Sequence, residues 1–539
     1  MSTSNRNTTS ESERQPLLPN TTTTTNNVNA APISLTKRTL SFLLFAGVIA
    51  IVVLGSFLVQ TQAPKLDVSV ERVISHLLNL ERIAKEVGGG SRTVAQPGFK
   101  ASVDYVVGTL RNETTLNVWT ESLFVYDQVD TGVPTLRVHN QTYTARVDFQ
   151  TATYSGSGTL SGLPLFIVRG SDPTRDLPPP TNDNSSFVAL ISQSSTRLPS
   201  PSPSQDLCSR VAFAISVLGA KAVLVSVSPV ASGYPRPLAP SGRLPRTCTK
   251  DQIAVFNTVP IVSLSQQLSW DLTLRALDTP LVDLDVKTEW KEVEVWNVLA
   301  EPNKDFKGKN ESIIIYGCHL DSVRAGPGIN DDGSGAMATL ELAVQYSKSL
   351  SKKSIQKVRF AWWAAEEIGL LGSIYHVEKL ATENPELLAH YKLNIDTDMI
   401  GSPNYVRGVW DGKSVEDQRI QKAASVIQNV FEGYFKDRGL PTVPFKFNGR
   451  SDFAPFMARG IPAGGVITGE DEIKTAEQAE LFGGVANMVL DPNYHQPADT
   501  VESLRGPGKI VLEQNLKALA HSVRVFALEQ NIDAFLKGK

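Results

Sequence analysis

The 539-residue chain has only three cysteines, Cys208, Cys248 and Cys318. That is too few for a disulfide framework, and the paired CxxC spacing of a thiolate metal site is missing. Any metal must therefore be held by His, Asp and Glu. Neither sign of charge predominates: 52 Lys and Arg against 55 Asp and Glu leave a net charge of −3, which gives no electrostatic footprint for a nucleic-acid partner. No internal repeat is visible. The length exceeds what one hydrophobic core organises, so two or three domains are expected.

The N-terminal residues 1–38 are rich in Ser, Thr and Asn and cannot bury enough surface to fold, so a disordered cytosolic tail is expected there. Within it Glu13, Leu17 and Leu18, in ERQPLL, resemble an acidic dileucine signal read by sorting adaptors. Residues 39–60, TLSFLLFAGVIAIVVLGSFLVQ, carry no charge, and about 20 apolar residues suffice for a helix to cross a bilayer. Lys37 and Arg38 precede the run, which places the N-terminus on the cytosolic side. These residues predict a transmembrane signal anchor and a single-pass type II protein with a lumenal catalytic domain. The vacuole or lysosome membrane is the expected location, with the cell surface as the alternative. Sequons at Asn112, Asn140, Asn184 and Asn310 fit a lumenal glycoprotein.

Residues 61–150 open with two helical patterns over 69–110, followed by alternating strands from Asn117 to Thr153. Near residue 150 the composition shifts to Ser, Gly and Pro, which marks 151–288 as an inserted module. Its short strands are expected at Phe187–Ile191, Ala222–Val227 and Val259–Ser263, with a helix at Ser209–Leu218. Cys208 and Cys248 lie inside it, and an oxidising lumen would favour their pairing. Residues 289–539 alternate strands and helices, which predicts an α/β fold: a mixed, mostly parallel sheet between helices.

The most informative stretch is SIIIYGCHLDSVRAGPGINDDGSGAMATL, residues 312–340. An unbroken apolar run suits a strand buried on both faces and delivers His319 to its carboxyl end, where ligands sit in open α/β sheets. Asn330, Asp331 and Asp332 follow at a helix start. KVRFAWWAA ends in Glu366 and Glu367, YKLNIDTDMIGSPNY supplies Asp396 and Asp398, FNGRSDFAPF supplies Arg450 and Asp452, and DPNYHQPADT supplies Tyr494, His495 and Asp499. Two histidines with several carboxylates form the N/O donor set of zinc. The carboxylates are too numerous for one tetrahedral ion, which points to two zinc ions sharing a bridge.

In this order HLDSV, GPGINDDGSG, AAEEIGLLGS, DMIGSPNY, GRSDFAPF, EIKTAEQAELFGG and DPNYHQPADT resemble the motifs of the co-catalytic zinc aminopeptidases of peptidase clan MH, the group that includes vacuolar aminopeptidase Y. The inserted module is similar to a protease-associated domain. The resemblance implies that Asp331 bridges two zinc ions, with His319 and Asp398 completing one site and Glu367 and His495 the other. It further implies that Asp321 bonds the His319 imidazole and that the peptide after Asp331 is cis. Asp396 competes with Asp398, which is preferred because it directly precedes MIGSPN. Glu366, not spent on coordination, is the expected general base for a hydroxide shared by the metals, and Tyr494 is placed for the oxyanion. Arg450 either positions the substrate or pairs with Asp452.

The expected activity is removal of N-terminal residues from peptides with free N-termini. The alternatives are a carboxypeptidase or dipeptidase of the glutamate carboxypeptidase II type, or a non-enzymatic receptor on the same scaffold.

Overall fold

The computed structural model describes residues 65–168, 186–192, 203–226, 248–303 and 312–539. Its first sheet has eight strands: β1 (Leu116–Asp130), β2 (Thr288–Pro302), β3 (Ile313–His319), β4 (Lys357–Trp363), β5 (Tyr391–Thr397), β6 (Gly408–Trp410), β7 (Val443–Phe445) and β8 (Ala463–Ile467), in the order β1-β2-β4-β3-β5-β8-β6-β7. The centre β4-β3-β5-β8 is parallel, β2 and β6 run antiparallel to it at either side, and β1, antiparallel to β2, runs in the direction of the centre.

The apolar runs explain why this sheet lies between two helical layers. In β3, Ile314, Tyr316 and Cys318 point into one core with Val358, Phe360 and Trp362 of β4. Ile313 and Ile315 point into the opposite one with Ala361 and Trp363. Every residue of β3 and β4 is buried, as expected for strands covered on both faces. The first face is covered by α1 (Val70–Glu86), α2 (Pro97–Glu113), α3 (Gly333–Ser349), α5 (Gln418–Lys436) and α7 (Pro507–Leu528), the second by α4 (Leu371–Glu383) and α6 (Phe453–Ala458). Ser69 caps α1 by accepting from Glu71 N–H, and the stripe Val73, Leu77, Leu80 then turns one face inward at helical spacing.

A second eight-stranded sheet runs Gln141–Tyr143, Thr135–Val138, Leu281–Val286, Gly158–Ile167, Val188–Ser192, Ala222–Ser226, Ile261–Leu264 and Phe149–Thr151. It takes in strands from Thr135 onward, ahead of the compositional shift at residue 150, because Ser and Pro mark loops while strand pairing decides membership. Cys208, on the helix Pro203–Ser216, is bonded to Cys248 with Cα atoms 5.4 Å apart.

The expected membrane-spanning helix is overturned. Among the described residues no helix is long and apolar enough to cross a membrane, and residues 39–60 themselves lie outside the described residues. The longest described helix, α7 with 22 residues, carries Lys509, Glu513, Lys517 and Arg524 and packs its apolar side into the core. The type II topology, the lumenal catalytic domain and the vacuolar, lysosomal or cell-surface placement fall with the span. Glu13, Leu17 and Leu18 also lie outside the described residues, and neither a membrane nor a sorting adaptor is retained as a partner.

Candidate metal centre

Each chemistry-bearing side chain leaves the carboxyl end of a central parallel strand or a loop folded over it. His319 ends β3. Glu366 and Glu367 follow β4 through Ala365, whose φ of +58° turns the chain sharply out of the strand. Asp398 follows β5. Asp331 lies just ahead of α3, whose N-cap is Asp332: its Oδ1 accepts from Gly335 N–H at 2.9 Å. The Asp331–Asp332 peptide is cis. Gly335 is required here, because a Cβ would lie 1.7 Å from the Thr397 carbonyl oxygen; the helix start is pressed against the end of β5.

Asp331 divides its two oxygens between the two histidines. Oδ1 lies 3.2 Å from Nε2 of His319, and Oδ2 lies 2.8 Å from Nε2 of His495. Asp398 Oδ1 stands 3.7 Å from His319 Nε2, and Glu367 Oε2 stands 3.4 Å from His495 Nε2. In both trios, His319 with Asp331 and Asp398 and Asp331 with Glu367 and His495, one donor atom per residue lies within 4.8 Å of the others, and all are buried. Zinc bonds of ~2.1 Å in a tetrahedron put neighbouring donors ~3.4 Å apart, which is the scale of these separations. Asp398 Oδ1 is buried without a hydrogen-bond partner, a costly arrangement for a carboxylate unless a cation completes it. The residues fit zinc.

The surrounding bonds orient these donors. His319 Nδ1 is 3.1 Å from the backbone carbonyl of Asp321, so this nitrogen donates and Nε2 faces Asp331. The Asp321 carboxylate is 3.8 Å from the imidazole. It instead accepts from the backbone N–H groups of Glu366 at 3.1 Å and Glu367 at 3.2 Å, so one residue aligns both the histidine and the acidic pair. The Asp499 carboxylate accepts from Asn330 N–H at 2.7 Å and Asp331 N–H at 3.1 Å. Asp396 turns away and accepts from Ser451 at 2.9 Å. Arg450 pairs with Glu470 at 2.7 Å and Asp471 at 3.0 Å. Asp452 instead accepts from the Ser373 hydroxyl. Burial pushes the Glu366 carboxyl well above the usual carboxylate range; His319 opposes the rise and Glu367 adds to it. At Asp331 burial acts in the same sense but is outweighed by His495 and His319, which hold it below that range.

Two contributors were not legible beforehand: Glu470 anchors Arg450, and Arg92 reaches the loop after His319 from far earlier in the chain. Asp321 was expected at the imidazole, and it meets it through its backbone carbonyl while its carboxylate binds the Glu366 and Glu367 N–H groups. The acidic run GEDE was the only sequence signal for Glu470.

A mostly parallel sheet with imidazoles and carboxylates gathered beyond its carboxyl edge defines an α/β protein whose histidines and carboxylates could hold metal ions. Residues 297–519 match Peptidase family M28. Over 443 residues the chain is 32% identical to an aminopeptidase of Pseudomonas aeruginosa, covering 80% of this chain and 76% of that one. Over 272 residues it is 41% identical to leucine aminopeptidase 2 of Trichophyton equinum, covering 50% of this chain and 52% of the relative. It thus spans about half the length of the fungal relatives it matches. A zinc aminopeptidase from Bacillus subtilis, BSAP, shares the fold with a TM-score of 0.61 at 21% identity, over 86% of this chain and 97% of that one. The chain belongs to peptidase family M28.

Proposed function

We propose that the protein is a di-zinc aminopeptidase that removes N-terminal residues from peptides with a free amino end. The observation that carries this reading is the division of Asp331 between His319 and His495, the arrangement a shared ligand needs. His319 and Asp398 would complete one site, Glu367 and His495 the other. Zinc held there supplies Lewis acidity, polarising a peptide carbonyl and lowering the pKa of water.

The chain's own residues do the rest. Glu366 belongs to neither trio, and its Oε2 stands 4.0 Å from His319 Nε2; it takes a proton from the attacking water and returns it to the leaving amine. Tyr494 accepts from Arg450, so its own hydrogen points away from the guanidinium and donates to the oxyanion. Arg450 is held by Glu470 and Asp471 and acts by fixing that hydroxyl. In this reading the second sheet, from Thr135 to Val286, is a protease-associated domain inserted between β1 and β2 of the peptidase.

The test is hydrolysis of matched dipeptides with free and blocked amino ends, with and without chelator, together with a metal count on the purified chain. Cleavage confined to free amino ends, lost to chelator and restored by zinc, is expected. Cleavage that depends instead on a free carboxyl end would assign the centre to a carboxypeptidase.

A further inference from the structure

Arg92 lies in the turn between α1 and α2 and is fully buried. Such a side chain satisfies its five donors on neighbours or not at all, and the three carbonyls that accept from it lie on the segment joining His319 to Asp331. Its Nε donates to the Pro327 carbonyl at 2.8 Å, one terminal nitrogen to the Gly328 carbonyl at 2.5 Å, and the other to the Leu320 carbonyl. Its backbone N–H donates to Ser322 Oγ at 2.8 Å. The Ser322 hydroxyl in turn lies 3.0 Å from the Gly326 carbonyl and donates to it. Gly328 adopts φ +62°, and a Cβ there would sit 3.1 Å from the guanidinium and 2.4 Å from the Asp331 carbonyl oxygen. The loop is thus closed around the arginine from both ends.

Charge favours the same placement. The guanidinium lies among the carboxylates Asp321, Asp499, Asp332 and Asp331, whose attraction opposes the cost of its burial. It is a fixed cation beside a crowd of acids, yet it touches none of the five proposed ligands.

We infer that Arg92 is a positioning residue for the metal centre: by fastening the loop from Leu320 to Gly328 it holds His319 and Asp331 at ligand spacing before any ion arrives, and so sets zinc affinity. The inference rests on the zinc reading of the site. Partners that orient ligands typically contribute ~10 to 100-fold in metal affinity. An arginine that served only as core filling would stabilise the chain equally with and without metal.

The test uses the full chain as wild type, Arg92→Ala, Arg92→Lys and Ser322→Ala. Each is stripped of zinc, titrated back against a chromogenic chelator of known affinity, and melted in stripped and loaded forms. Arg92→Ala should bind zinc at least ~10-fold more weakly and show a smaller zinc-induced rise in melting temperature. Arg92→Lys should fall between it and wild type, because an ammonium keeps the charge but loses the planar fork. Ser322→Ala should move in the same direction by less. Unchanged zinc affinity, with stripped and loaded forms destabilised alike, would overturn the inference. If Arg92→Ala does not fold, wild-type affinity in both Arg92→Lys and Ser322→Ala overturns it equally. A wild type that takes up no zinc would remove the metal reading and this inference together; a wild type that loads zinc beside variants that match it removes only the latter.

Discussion

The Arg450 guanidinium donates to the Tyr494 hydroxyl at 3.1 Å. With its lone pair so engaged, the phenol is held for donation. Tyr494→Phe is expected to lower kcat by ~10² to 10³-fold, the usual cost of one oxyanion donor, with KM little changed. Arg450→Gln should reproduce part of that loss. Steady-state kinetics on a free-amino dipeptide decide it; a Tyr494→Phe variant that altered KM alone would assign the hydroxyl to substrate binding.

Glu366→Gln keeps the shape of the side chain and removes its basicity. The variant is expected to retain zinc at the wild-type ratio while turnover falls by ~10² to 10⁴-fold. Metal analysis and single-turnover hydrolysis on one preparation check both halves. Activity within a few fold of wild type would place the base elsewhere.

Two aspartates compete at the end of β5, and the structure separates them. Asp398 faces His319 at 3.7 Å while Asp396 accepts from Ser451. Asp398→Asn should therefore lose zinc on dialysis and Asp396→Asn should keep it. The reverse outcome would exchange their assignments.

The Cys208–Cys248 bond joins residues 40 apart in sequence, and a loop of that length corresponds to about 4 kcal/mol of denatured-state entropy. Replacing both cysteines by serine should lower the melting temperature of the second sheet and leave hydrolysis of small substrates intact. Differential scanning calorimetry with a parallel activity assay would reveal either a smaller effect or an unexpected loss of turnover.

The Lys474 ammonium is buried against the carbonyls of Asn404 and Tyr405, and burial pulls its pKa down to about 8. The unfolded chain keeps the ordinary value near ~10.4, so between these limits it binds more protons than the folded one. This contribution to stability is complete above the upper value and is lost as pH falls through about 8. Chemical denaturation from pH 7 to 10.5 should show wild type gaining stability relative to Lys474→Met as pH rises; a constant difference would contradict the shift.

The strand β3 was legible because a strand buried on both faces needs a nearly unbroken apolar run, and 313–319 supplies one; β4 and β5 interrupt theirs with Lys357, Arg359, Lys392, Asn394 and Asp396, and were legible chiefly through the acidic residues at their ends. His319, Asp331, Glu367, Asp398 and His495 were singled out by the motif resemblance; residue types alone offered two histidines and left Glu366, Asp396, Asp452 and Asp499 as rival carboxylates. What stayed hidden depends on the backbone. Arg92 bonds to carbonyls 228 to 236 positions away, and Asp321 to N–H groups 45 and 46 away; such partners leave no trace in side-chain identity. Arg450 has acids nearby in Asp452, Glu470 and Asp471, and only the fold decides between them. The start of the second sheet at Thr135 was equally concealed, since its first strands resemble those of β1 in composition.

The pairing of β1 with β2 has a consequence for the architecture. From Leu116 opposite Pro302 to Asp130 opposite Thr288 the two strands remain side by side, while only Val298, Leu299 and Ala300 continue the ladder into β4. The polypeptide departs and returns through one doorway, so a hairpin of ~2 to 5 residues could span the gap that the second sheet fills. None of the strands that deliver His319, Glu367 or Asp398 pairs with that sheet, which joins the first one only where the chain leaves β1 and returns to β2.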